Sequence, residues 1–153
     1  MERLEIIRSD HPSAAAEAAI RRALIAFNDG YLGHRDARPI GLLVQVDRRV
    51  LGGLLAETAR DQLHIDALWL APELRGRGLG GKLVRSAEEE ALRRGCAGAW
   101  LDTYSFAAKT FYERLGYRVF GELDGYANGH TRFFMSKRLD AAVRPLSPPN
   151  PSS

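Results

Sequence analysis

The chain is short of three things: it has one cysteine in 153 residues, no apolar run approaching a membrane span, and no marked excess of either charge. Each shortage removes a class of function. Cys96 has no partner, which excludes an internal disulfide and a paired-cysteine zinc site and leaves it to read as a small buried hydrophobe. A membrane helix needs about 20 predominantly apolar residues, so no membrane partner is expected. The opening "MERLEIIRSD" holds neither an apolar h-region nor a small-residue cleavage site, and the expected location is cytoplasmic. The 22 basic and 19 acidic residues are interspersed, and the net charge is only +3. No helix carries the basic stripe of a phosphate footprint, so no nucleic-acid partner is expected.

What the chain does have is an alternation of strand and helix patterns. Residues 3–8 (RLEIIR) predict a short strand. Ser13 can cap a helix in which Ala16, Ala19, Ile20, Ala23, Leu24 and Phe27 recur at helical spacing, with Gly30 as its stop. "IGLLVQVD" and "RVLGGLLAE" predict a hairpin turning at Asp47 and Arg48. In "QLHIDALWL", strict alternation puts Leu63, Ile65, Ala67 and Trp69 on one face and His64, Asp66, Leu68 and Leu70 on the other. A glycine-rich loop then opens a helix whose apolar stripe is Leu79, Leu83, Val84, Ala87, Ala91 and Leu92, with Glu89/Arg93 and Glu90/Arg94 as pairs and Gly95 as its stop. "AGAWLD" predicts a strand, Ser105 the cap of a helix over "FAAKTFYERL", Gly116 its end, and "YRVFGE" and "TRFFMSKR" two last strands. The order predicts an α/β (α+β) fold: a mixed, mostly antiparallel central sheet of six to seven strands flanked by helices, with one parallel βαβ unit around the glycine loop. From Asp140 onward Pro and Ser dominate, so residues 1–139 read as one domain and 140–153 as a flexible tail.

Three motifs overlap in the glycine loop. Gly76, Gly78 and Gly81 satisfy GxGxxG, and Asp102 lies 21 residues beyond. A dinucleotide fold, however, sets its first glycine directly after the strand, whereas residues 71–75 intervene here. Gly76, Gly81 and Lys82 satisfy GxxxxGK, but Leu83 stands where a hydroxyl must ligate Mg²⁺. Arg75, Gly78 and Gly80 satisfy RxxGxG. In every reading the glycines let backbone N–H groups approach a phosphate, and the helix N-terminus adds its positive end.

The stretch "LWLAPELRGRGLGGKLV", followed by "FYERLGY", resembles the GNAT superfamily of acyl-CoA N-acetyltransferases, over residues 40–138 and most strongly over 65–120. The resemblance implies splayed central strands and acetyl-CoA as co-substrate, with no metal. Its diphosphate would rest on the amides of Arg75, Gly76, Arg77, Gly78, Leu79 and Gly80, with Lys82 nearby. Leu68, Trp69 and Leu70 would offer backbone groups to the pantetheine arm and one N–H to the thioester oxygen. Tyr112 would lie beside the sulfur, where a phenol with pKa near 10 can protonate the leaving thiolate. Phe111, Leu115 and Tyr117 read as core.

An alkylammonium of pKa near 10.4 is neutral in less than about one molecule in a thousand at pH 7, so a base must take its proton. Some family members hold histidines at the positions of His64 and Asp66; this chain matches the first and departs at the second, and Glu57 on the neighbouring strand is a third candidate. Topology suggests an acceptor pocket lined by Phe27, Asn28, Tyr31 and His34 and by Tyr126 and His130. The expected activity is acetyl transfer to a primary amine of a small molecule or peptide by direct attack in a ternary complex. A non-catalytic acyl-CoA sensor is the alternative. The sequence does not choose the acceptor, and look-alike proteins are commonly homodimers.

Overall fold

The computed structural model describes residues 2–140; residues 141–153, most of the expected tail, lie outside the described residues. The chain divides into two compact units, one ending at Arg35 and one beginning at Asp36.

The first unit holds helix α1 (Ala14–Leu32). It starts as expected, with Ser13 Oγ accepting the Ala16 N–H at 3.1 Å. It does not stop at Gly30. A glycine costs a helix interior only about 1 kcal/mol, and the chain leaves the helix at Gly33, where φ reaches +77°. Residues 3–8 form no strand, contrary to their alternating pattern. A strand exists only through its ladder with a neighbour; here no ladder forms, and Leu4, Ile6 and Ile7 are exposed.

The second unit is a six-stranded sheet: β1 (Arg38–Val46), β2 (Arg49–Ala59), β3 (Gln62–Leu70), β4 (Gly98–Thr103), β5 (Arg118–Tyr126) and β6 (His130–Arg138). The spatial order is β1-β2-β3-β4-β6-β5, and only β3 and β4 run parallel. Asp47 and Arg48 both take positive φ, the geometry of a type I′ hairpin turn. Helix α2 (Leu79–Arg93) is the crossover between β3 and β4 and packs on β1, β2 and β3. Helix α3 (Phe106–Arg114) follows β4, and Ser105 Oγ caps it through the Ala108 N–H at 3.3 Å. Both helices close as Schellman motifs: Cys96 N–H reaches Ala91 C=O past Gly95, and Tyr117 N–H reaches Tyr112 C=O past Gly116. The core is built from Leu54, Leu63, Val84, Leu101 and Met135, all fully buried. No helix among the described residues is long and apolar enough to cross a membrane.

Two sequence expectations fail inside this unit. The predicted faces of β3 hold only as far as Ile65. The β2–β3 register shifts between Leu55 and Ala56 and leaves Asp66 unmatched. One extra residue inverts a period of two: Leu63 and Ile65 are buried, Ala67 and Trp69 are exposed, and Leu68 packs against the core. On α2, Glu90 takes both arginines, Arg93 at 2.9 Å and Arg94 at 3.1 Å, in place of the predicted Glu89/Arg93 pair. Arg94 is drawn that way because its guanidinium also donates to Thr58 Oγ1 and to the carbonyls of Arg38 and Pro39.

Candidate active site

Beyond His64 the parallel strands part. β3 and β4 share three register positions, Gln62 with Gly98, Leu63 with Ala99 and His64 with Trp100. Residues 65–70 and 101–103 then continue without pairing to each other. An opening at the carboxyl ends of such strands is where open α/β sheets take ligands.

The loop and the start of α2 adjoin this end of β3. Arg75 Nε donates to Leu70 C=O at 3.0 Å and braces the loop against the strand. Gly78 is the N-cap of α2 in the left-handed region, φ +76°, and supplies no side-chain cap. The first helical bond runs from Lys82 N–H to Gly78 C=O, and the amides of residues 76–81 find no acceptor among the described residues. No acidic side chain lies in the first turn; Arg77 and Lys82 flank it instead. Cations at the positive end of a helix dipole cost a few tenths of a kcal/mol each, so this charge pattern opposes the helix and suits an anion. At Gly76 and Gly78 an added Cβ would meet nothing within 4 Å, leaving the approach to the amides open. At Gly80 it would stand 3.1 Å from Phe111 Cζ, which is where α2 touches α3.

From Phe111 a chain of rings leads inward. Phe111 meets Tyr112 at 5.0 Å between centroids, and Tyr112 meets Tyr117 at 5.8 Å. Phe111 and Leu115 pack against the core as expected but are only partly buried, and Tyr112, expected to share that stripe only in part, is the more deeply buried. Burial pushes its phenol from 10.0 up to about 12, and its hydroxyl has no hydrogen-bond partner among the described residues. Tyr117 is core as expected but does more than pack. Its hydroxyl donates to Glu88 Oε2 at 2.9 Å, and Lys137 Nζ donates to Glu88 Oε1 at 3.1 Å and to Leu115 C=O at 2.8 Å. Burial, reinforced by that carboxylate, pushes Tyr117 above the ordinary phenol range. Both phenols stay protonated in the fold after the unfolded chain has begun to ionise, so their contribution is complete below pH 10 and is lost as pH rises towards 12. The urea midpoint is expected to fall between pH 9 and pH 11, and Tyr112→Phe should reduce that fall.

His64 sits at the last paired position with its ring stacked on Trp100 at 3.9 Å. Glu57 is its register partner across β2, and Asp66 lies exposed on the bulge. Trp69 is also exposed, while Leu68 and Leu70 are half-buried. Phe27, Asn28, Tyr31 and His34 belong to the first unit, where the Phe27 and Tyr31 rings meet at 5.2 Å and His34 Nδ1 stands 3.9 Å from Asp29. Tyr126 and His130 belong to the second and line a cavity of about 790 Å³ at the carboxyl end of β4. Sequence reasoning missed the other walls of this cavity, Tyr104, Phe106 and Phe133. The "TYSF" run directly after a strand was the available signal for the first two; Phe133 had none.

The model of the acetyltransferase (GNAT) family matches residues 3–117. The chain belongs to that family. It is similar to acetyltransferase Atu2258 of Agrobacterium fabrum, 38% identical over 137 residues, 89% of this chain and 100% of that one. It also matches the blasticidin-S acetyltransferase of Streptomyces morookaense, 38% identical over 89 residues, 58% of this chain and 65% of the relative. A crystal structure of an acetyltransferase from Bacillus cereus superposes with a TM-score of 0.79 at 28% identity, over 86% of this chain and 97% of that one. This GNAT chain is an N-acetyltransferase with acetyl-CoA as its donor. The uncapped amides at 76–81, the open space above Gly76 and Gly78 and the flanking cations fit the diphosphate of that donor. Gly80→Val should push Phe111 and the first turn of α2 apart, and acetyl-CoA affinity measured by calorimetry is expected to fall about tenfold, the equivalent of roughly 1.4 kcal/mol of overpacking.

Proposed function

We propose that residues 1–139 form a catalytic domain that moves the acetyl group of acetyl-CoA to a primary amine of a small molecule or peptide, by direct attack in a ternary complex. The observation that carries this reading is the parting of β3 and β4 beyond His64, flanked by the uncapped start of α2. Acetyl-CoA, when bound, supplies an activated thioester. The amides of residues 76–80, with Arg77 and Lys82, would hold its diphosphate, the Arg75 N–H expected among them being taken by the Pro72 carbonyl, and the backbone of Leu68, Trp69 and Leu70 would align its arm and donate to the carbonyl oxygen.

The amine must first lose its proton, at a cost of about 4 to 5 kcal/mol at neutral pH without help. His64 is the proposed base, because it stands where the strands divide; Glu57 and Asp66 are the alternative acceptors. Tyr112 would donate its proton to the departing sulfur, and a phenol pushed up to about 12 is protonated at neutral pH. Tyr126 and His130, which line the cavity of the second unit, are the proposed contacts to the acceptor. The blasticidin-S relative supports a small-molecule acceptor. Among the described residues no group of three or more His, Cys, Asp or Glu side chains could hold a metal ion. Cys96 takes no part: it is buried, and burial raises its thiol above the ordinary range.

The test is thiol release from acetyl-CoA across a panel of primary amines. At least one amine should give saturable, stoichiometric release. Tight acetyl-CoA binding with no release for any amine would make the chain a sensor.

A further inference from the structure

The cavity at the end of β4 has an unusual lining. Five of the lining residues carry rings, Tyr104, Phe106, Tyr126, His130 and Phe133, and none of the lining residues carries a permanent charge. Tyr104 and Phe106 stand largely exposed, at 47% and 71%, yet they face other aromatic rings: Tyr104 meets Tyr126 edge-on at 5.1 Å, and Phe106 meets Phe133 edge-on at 6.5 Å. In an edge-on pair one ring's edge meets one face of its neighbour, which leaves the other faces of these exposed rings for a guest.

Two cations behind the walls decide what kind of guest. Arg132 Nε donates to Asp102 Oδ2 at 2.8 Å and Nη1 to Tyr126 Oη at 3.2 Å, while the guanidinium lies 5.4 Å from the Tyr104 ring centre and 4.9 Å from that of Phe134. Lys109 Nζ lies 5.0 Å from the Phe106 ring centre and 5.1 Å from that of Phe133. An aromatic face attracts a cation until one is already there. With Tyr104, Phe106 and Phe133 so served, the Tyr126 hydroxyl held by Arg132, and no carboxylate in the lining, a polycationic acceptor finds nothing to neutralise it. A neutral flat ring does find partners, in offset or edge-on contact with the remaining faces.

We infer that the acceptor is an amine attached to a flat aromatic or heteroaromatic ring, and that Arg132, locked by Asp102, is the positioning residue that sets Tyr104 and Tyr126 as the walls the ring lies against. This rests on the proposed acetyl transfer for its amine, and on the cavity alone for its ring. Arg132 acts through two neighbours: its hydrogen bond fixes the Tyr126 hydroxyl and its plane backs Tyr104. Lysine keeps the charge but cannot serve Asp102 and Tyr126 in one planar fork.

The experiment compares tryptamine, hexylamine and spermidine. Binding is read by calorimetry on protein saturated with free coenzyme A, which cannot react, and turnover is read with acetyl-CoA. Tryptamine should bind at least about tenfold tighter than hexylamine, the scale of one well-placed aromatic contact plus its buried area. Tyr104→Ala, a substitution at an exposed ring, should erase that preference without moving acetyl-CoA affinity. Arg132→Lys should raise the KM for tryptamine and leave those for hexylamine and acetyl-CoA in place, a split that general loosening of the fold would not give. Tyr126→Phe, which removes only the hydroxyl contact, should move tryptamine in the same direction by less. Equal binding of tryptamine and hexylamine, a preference for spermidine, or a ring preference that survives Tyr104→Ala would overturn the inference. If no amine releases thiol while tryptamine still binds preferentially, the reaction fails and the ring preference stands.

Discussion

Replacing Tyr112 by phenylalanine is expected to lower kcat by about 10²- to 10⁴-fold, the range of a positioned general acid, while the Kd for acetyl-CoA stays within about twofold of wild type. The substitution is informative because of how the residue is held. Its ring is fixed between Phe111 and Tyr117, and a phenylalanine keeps both contacts. Its hydroxyl has no protein partner among the described residues, so deleting it strands no buried donor or acceptor. The fold should therefore melt as before, and the loss should fall on the step in which sulfur accepts a proton. Thiol release by stopped-flow, with calorimetric binding of acetyl-CoA, separates the two. A kcat within threefold of wild type would remove Tyr112 from the reaction and return it to packing.

The second large effect concerns stability. Glu88 is buried on α2, and it is the shared acceptor for Tyr117 from the chain after α3 and for Lys137 from β6. Glu88→Ala leaves a phenol without its acceptor and an ammonium with only the Leu115 carbonyl. Breaking one member of a buried ionic cluster typically costs about 3 to 5 kcal/mol, which for a domain of this size lowers Tm on the order of 10 °C. Urea unfolding at pH 7 should show the loss in the midpoint with an unchanged slope. The companion triple variant Glu88→Leu, Tyr117→Phe, Lys137→Met removes every polar group of the cluster at once and should recover most of the stability, because a buried cluster replaced by apolar groups of similar size is close to neutral. A single Glu88→Ala loss below about 1 kcal/mol would show that water replaces the carboxylate. The cluster also anchors the end of α3 three residues past Tyr112, through Leu115 C=O.

Much of the local structure was legible in the chain. Ser13 and Ser105 cap the helices that their side chains promised, Gly95 and Gly116 end α2 and α3 with positive φ, and Asp47 and Arg48 turn the hairpin. These features depend on neighbours within a few residues, and a one-dimensional reading sees them. The glycine spacing of the loop that opens α2 was legible for the same reason, because it is local.

Apart from the stop expected at Gly30, the failures share the opposite cause. The strand expected at 3–8 required a ladder that only another segment could give. The bulge at Asp66 comes from the register of β2 against β3, and alternation within β3 alone points Trp69 the wrong way. Glu88 went unremarked in the sequence because its partners, Tyr117 and Lys137, lie 29 and 49 residues away. Arg132 finds Asp102 at a separation of 30 residues. By itself, then, the sequence determined where the helices begin, where α2 and α3 end and where the hairpin turns, because short-range backbone chemistry governs them. Only the tertiary structure decided which face of β3 is buried, which tyrosine is desolvated and which cations stand behind the cavity walls, because burial and ion pairing depend on partners distant in the chain.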